Sequence, residues 1–209
     1  MIRNLLFDLG NVLLPIDPAA TASALENLMG MPYANLLLQP DEMLTKFETG
    51  KVNYIVFFNY LSKIAPKVVH INELLPAWNK MLLPLRQDTV TALQDLSKDF
   101  RCYILSNTNE VHIRHFDQQL KSLGLYELWY KKIFTKSFFS HELGFRKPQP
   151  EIFDAVIHDA NISARETIYL DDLQINVDAA SRMGFHSFNY LFDQENLQTF
   201  IRNKIQQIK

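Results

Sequence analysis

The sequence predicts an α/β protein: a parallel sheet wound in βαβ units, flanked by helices, with an all-α insertion near its start. Two observations predict it. Short apolar runs that end in polar groups open the chain and then alternate with helix-length amphipathic stretches through its second half. Between Asp17 and about Asp88, by contrast, no run reads as a strand and apolar residues recur at helical spacing. The length of 209 residues, with 47% hydrophobic and 21% charged, fits one large domain or a core carrying an insertion.

The elements follow in order. Leu5-Leu6-Phe7 reads as a buried parallel strand, closed by Asp8 and the turn residues Gly10-Asn11. Pro18 to Met29 predicts a helix behind a cap at Asp17, stopped by Gly30 and Pro32. Asp41 to Phe47 predicts a shorter helix ended by Thr49-Gly50. Tyr54 to Ile64 carries Phe57, Phe58 and Leu61 on one stripe and stops before Pro66. Asn72 to Leu83 predicts a helix bearing Trp78, with a possible break at Pro76. The stripe of aromatics reads as helix-bundle core, and the insertion of roughly seventy residues has the size of a small domain.

After Pro84, the reading alternates. Helices are expected over Asp88 to Lys98, Val111 to Leu120, from near Pro150, after Asp172 to Met183, and over Asn196 to Ile208. Strands are expected at Cys102-Tyr-Ile-Leu105, Ile133-Phe134, Thr167-Ile-Tyr-Leu170, and His186 to Tyr190. No internal repeat or low-complexity tract interrupts this pattern.

Composition narrows the function classes. A formal net charge of −2 with no basic run recommends neither nucleic acid nor an anionic membrane as partner. The apolar N-terminal run is too short for a membrane span, and Asp8 spoils it as a signal peptide. Cys102 is the only cysteine, so no internal disulfide is possible, and a reducing cytoplasm is expected.

Four chemical groups fall at comparable places: Asp8, Ser106, Lys147 and the pair Asp171-Asp172. Asp8, Ser106 and Lys147 each have a plainer reading alone, as a turn cap, a helix cap and a solvated loop lysine. In an open parallel sheet, however, the carboxyl ends of the strands converge on one crevice. Alternation along a strand sends Asp171 and Asp172 in different directions, toward different tasks. If Asp8 meets one of them, the two carboxylates need a cation between them, and a hard ion with oxygen ligands suits Mg²⁺. A nucleophilic carboxylate, a cation, a lysine and the short donors of Ser106-Asn107 are the parts that phosphoryl transfer uses.

These motifs resemble those of the haloacid dehalogenase superfamily, in its phosphatase branch with a helical cap, and most closely the bacterial glucose-1-phosphatase type of sugar phosphatase. The likeness rests on Phe7-Asp8-Leu9-Gly10-Asn11-Val12, Leu105-Ser106-Asn107-Thr108-Asn109, Gly144-Phe145-Arg146-Lys147-Pro148, and Leu170-Asp171-Asp172 with Asn176 downstream. It implies a Rossmann-like core of residues 1–16 and 85–209 and a cap of residues 17–84 that closes over the site and chooses the substrate. Glu48-Thr49-Gly50 and Trp78-Asn79 are the stretches of the cap expected to reach down. By the resemblance, Asp8 is the nucleophile that becomes an aspartyl-phosphate. Asp8, Asp172 and the Gly10 carbonyl hold Mg²⁺. Gly10, Asn11, Ser106, Asn107 and Lys147 bind the phosphoryl group, while Asp171 and Asn176 stand behind them.

The implied activity is hydrolysis of a small phosphorylated metabolite, a sugar phosphate by the likeness, by a cytoplasmic monomer or homodimer. One departure stands out: phosphatases of this superfamily mostly carry a second aspartate where this chain has Gly10, and that residue protonates the leaving oxygen. His112, His115 and His141 are no evident replacement. Two alternatives stay open at this point, a metal-independent 2-haloacid dehalogenase and a non-catalytic phosphometabolite-binding protein.

Overall fold

The computed structural model describes residues 1–32, 43–193 and 195–208. Five parallel strands form the sheet: β1 (Asn4–Phe7), β2 (Arg101–Ser106), β3 (Phe134–Phe139), β4 (Thr167–Asp171) and β5 (His186–Asn189). Their order is β3-β2-β1-β4-β5. The chain therefore builds outward from β1 to one edge, then crosses back and builds to the other. That reversal puts the crevice at the carboxyl end of β1, between β2 and β4.

Side-chain alternation divides the core in two. Leu5, Phe7, Cys102, Ile104, Ile168 and Leu170 face one apolar layer. Leu6, Tyr103, Leu105 and Tyr169 face the other. All ten are at most 1% exposed, and burying side chains of this size contributes about 1.5–3 kcal/mol each. The layers are covered by α5 (Gln87–Leu96), α6 (Glu110–Ser122), α7 (Pro150–Ala160), α8 (Gln174–Arg182) and α9 (Leu197–Gln207). Asn109 and Asn196 cap α6 and α9 by accepting from backbone N–H groups two and three residues on.

Between β1 and β2 lie α1 (Pro18–Met29), α2 (Met43–Glu48), α3 (Tyr54–Ile64) and α4 (Ile71–Trp78). They enclose a core of their own, including Leu25, Phe47, Phe57, Phe58, Leu61 and Leu74. Phe47 stacks on Phe57 at 4.3 Å between ring centroids, and Trp78 meets Phe57 edge-on at 5.0 Å. The chain leaves and re-enters the sheet side by side: Ile16 bridges Leu82, Asp17 N–H donates to Met81 O, and Leu83 N–H donates to Pro15 O. No helix of the described residues is long and apolar enough to cross a membrane.

Several sequence expectations shift. The expected start of α2 at Asp41 lies outside the described residues, and the helix is described from Met43 to Glu48. α4 runs straight through Pro76 but ends at Trp78, not Leu83, and tightens into a 3₁₀ turn over Asn79–Met81. β3 is six residues long, where only Ile133-Phe134 was legible as strand. It is an edge strand with Thr135 and Lys136 exposed, so continuous apolarity fails to mark it.

Candidate active site

β1 and β4 are neighbours in register, Phe7 opposite Leu170, and Asp8 N–H donates to Leu170 O at 2.8 Å. The acids that follow the two strands are therefore delivered to the same edge. Carboxylate oxygens of Asp8, Asp171 and Asp172 all lie within 4.8 Å of one another. Lys147, 2% exposed, reaches in from the loop before α7. Its Nζ sits 2.9 Å from Asp8 Oδ1, 2.7 Å from Asp171 Oδ2 and 3.0 Å from Leu105 O, so all three N–H bonds are used.

Asp171 and Asp172 do have different surroundings. Asp171 is fully buried and accepts from Lys147 Nζ, Tyr169 Oη, Asn176 Nδ2 (2.9 Å) and Leu173 N–H (2.9 Å). Burial alone pushes its pKa up, but the Lys147 charge and these hydrogen bonds outweigh it and hold the carboxyl below its usual range. Asp172 is half-buried and accepts from Asn11 Nδ2 at 3.1 Å. Burial, helped by the neighbouring Asp171, raises its pKa. Asp8 is raised too, to about 7: burial and the two acids beside it overcome Lys147. Lys147 pays a burial cost on its own charge, yet Asp8 and Asp171 hold its pKa above the ordinary lysine value.

The expected site residues thus come together, with some tasks revealed only in three dimensions. Asn11 takes a left-handed backbone (φ 54°), donates its N–H to Leu14 O, and places its side chain between Asp172 and Ile16 N–H. The Asn11 side chain therefore orients the Asp172 carboxylate. Asn107 brackets Lys147, accepting from its N–H at 2.8 Å and donating to its carbonyl at 2.9 Å. Ser106, at the end of β2, is buried and faces the cavity beside Asp8, Gly10 and Asn176. Tyr169 was missed by the sequence reading, although alternation along β4 puts it on the same side as Asp171.

The cavity has a volume of about 390 Å³ and is walled on its far side by the helical insertion, through Leu44, Glu48, Trp78 and Met81. Glu48 Oε2 lies 3.1 Å from Arg146 Nη1, which ties α2 to the loop that carries Lys147. Gly50 presses so close to the core that a Cβ there would lie 2.0 Å from His141 O. Trp78, also named as a residue reaching down, is 4% exposed in the aromatic core and stacks on His112 at 5.4 Å. Burial pushes His112 down to about 4, and its ring nitrogens face Trp78 O (3.2 Å) and Asn109 Nδ2 (3.1 Å).

Comparisons with known proteins find matches along most of the chain. A family model described as haloacid dehalogenase-like hydrolase matches residues 2–184. The D-ribitol-5-phosphate phosphatase of Bacteroides thetaiotaomicron is 28% identical over 196 residues, covering 90% of this chain and 91% of that protein. A haloacid dehalogenase family enzyme of the same organism, solved with magnesium and inorganic phosphate, superposes with a TM-score of 0.81 at 26% identity. That match covers 96% of this chain and 100% of the other. A predicted hydrolase of this kind from Porphyromonas gingivalis gives 0.84 at 25% identity, over 97% of this chain and 98% of that one.

Proposed function

This chain belongs to the haloacid dehalogenase-like hydrolase family, and we propose that it is a Mg²⁺-dependent phosphatase of small phosphorylated metabolites, working through an aspartyl-phosphate on Asp8. One observation carries the reading: three carboxyl groups converge on one point, and two of them, Asp8 and Asp171, pair with Lys147. Their oxygens make a hard donor set, and burial, with the neighbouring acids, raises the pKa values of Asp8 and Asp172 against the pull of Lys147. These residues fit a divalent cation. Asp8, Asp172 and the Gly10 carbonyl would hold it, and when bound it neutralises charge on the phosphoryl oxygens and keeps the carboxylates ionised.

The chain's own residues then divide the work. Asp8 attacks phosphorus, and the bond to the leaving oxygen breaks on the opposite side. The Ser106 hydroxyl and the positive charge of Lys147 stabilise the equatorial oxygens, with Asn107 fixing the lysine's backbone on both sides. Asp171, held by Tyr169 and Asn176, keeps Lys147 aimed. Asn11 does the same for Asp172. Residues 1–16 and 85–209 act as the catalytic core. Residues 17–84 act as the cap, which excludes water and limits the leaving group.

The cavity volume of about 390 Å³ is near the lower end of the usual range for small-molecule sites, about 300–1,000 Å³, which supports a compact metabolite. A sugar or sugar-alcohol phosphate is the class we assign, as the relative's ribitol phosphate is of this size. The test is phosphate release from a panel of sugar phosphates, with Mg²⁺ and with chelator. Activity that requires Mg²⁺ and vanishes in Asp8→Asn is expected. Activity untouched by chelation, or intact in Asp8→Asn, would overturn the proposal.

A further inference from the structure

We propose that Glu48, carried by the helical insertion, protonates the leaving oxygen. The assignment rests on the phosphatase reading above and adds to it the group that moves the proton. An alkoxide is a poor leaving group, so cleavage of an alkyl phosphate gains about 10²–10⁴-fold from a positioned acid. Gly10, beside the nucleophile, has no side chain to supply one. Among the described residues lining the cavity, the carboxyl groups are Asp8, Asp172 and Glu48. Asp8 and Asp172 belong to the charged cluster at the sheet edge, whereas Glu48 faces the cavity from the insertion, where a leaving group would lie.

Its surroundings suit the task. The side chain keeps 19% of its surface, and among the described residues no hydrogen-bond donor lies on its buried Oε2, although Arg146 Nη1 is 3.1 Å away. Arg146 is the charged side chain that acts on Glu48. The one-turn helix Ser140–Leu143 packed against α2 brings His141 and Glu142, and α3 presents Phe57 and Phe58. Burial raises the Glu48 pKa and outweighs Arg146, which favours the protonated acid. His112 is poorly placed for the same role: with Asn109 donating to Nδ1, its one N–H is committed to the Trp78 carbonyl.

The steps balance. As Asp8 Oδ forms its bond to phosphorus, the P–O bond to the leaving group breaks and its electron pair stays on that oxygen. The Glu48 proton goes to the same oxygen, releasing a neutral alcohol and a carboxylate beside Arg146. Water then attacks phosphorus and the bond to Asp8 breaks with its electrons returning to the carboxylate; inorganic phosphate keeps one water proton, the other passes to solvent, and Glu48 regains its proton from solvent.

The experiment compares leaving groups on the full chain with Mg²⁺. Glu48→Gln should lower kcat about 10²–10⁴-fold on glycerol 3-phosphate, but less than about threefold on p-nitrophenyl phosphate, whose phenolate departs without a proton. The basic limb of the pH–kcat profile for glycerol 3-phosphate should disappear in this variant. Adding Gly10→Asp should restore at least about tenfold of the loss, since position 10 is not in the left-handed region and a Cβ there meets only the end of Ile16, at 3.0 Å. Equal losses on both substrates, or a raised KM with kcat unchanged, would reduce Glu48 to positioning and overturn the assignment. If Glu48→Gln does not fold, a wild-type basic limb present for both substrates overturns it equally. Failure of the wild type to release phosphate from glycerol 3-phosphate, p-nitrophenyl phosphate and the sugar-phosphate panel alike would instead bring down the phosphatase reading, and this assignment with it.

Discussion

Replacing Lys147 with methionine keeps most of the side chain's volume and deletes one charge. In the native fold, Nζ lies within 3.0 Å of three oxygens, those of Asp8, Asp171 and Leu105, and the residue is 2% exposed. Removing one partner of a buried ion pair costs about 3–5 kcal/mol, because the remaining charge is left uncompensated. For a chain of this length each kcal/mol lowers Tm by about 2–4 °C, so Lys147→Met should melt roughly 6–20 °C below wild type in metal-free buffer at neutral pH. The sign of the pH effect is also determined. In the wild type, the depressed pKa of Asp171 adds stability that is present above its unfolded value and lost as pH falls through its folded one. Without Lys147 the buried carboxyls lose their cation and their pKa values rise, so their contribution is then retained at low pH and lost as pH rises. The deficit should therefore shrink on acidification toward pH 4. Thermal unfolding followed by circular dichroism at several pH values measures it. A Tm within 2 °C of wild type at neutral pH, or a deficit that widens on acidification, would refute the electrostatic account.

The remaining predictions are shorter. In the metal-free wild type, the raised pKa of Asp8, about 7, means that the folded state binds more protons than the unfolded between about pH 4 and 7. Its contribution should thus fall as pH rises through that window, and millimolar Mg²⁺ should raise Tm more at pH 7.5 than at pH 5. Gly50→Ala forces a Cβ against His141 O at a backbone φ of +66°, so it should cost at least about 1–3 kcal/mol. It should also loosen the insertion from the core, read as a lower Tm together with a higher KM. Phe58→Ala empties the centre of the insertion's core and should cost about 3–5 kcal/mol by chemical denaturation.

Most of the sheet was legible because each central strand is apolar on both faces and ends in a polar group. The pattern of Leu5 to Asp8 and of Thr167 to Asp171 needs no partner to be recognised. The edge strand β3 was under-read for the opposite reason, since Thr135 and Lys136 face solvent. Helix ends were legible where a cap is written in one residue, as at Asp17. They were not at Trp78, where the chain tightens through a 3₁₀ turn.

By itself, then, the sequence determined which groups the strands deliver: period-two alternation and strand-terminal acids are local facts. Only the tertiary structure decided what each group meets. Asn11 turned toward Asp172, Tyr169 onto Asp171, and Glu48 across the cavity to Arg146, 98 positions apart in the chain for the last pair. Those pairings depend on strand order and on how the insertion packs against the core, and neither is encoded within the span of any one motif. The pKa values follow the same division, because burial and through-space charge exist only once the chain has folded.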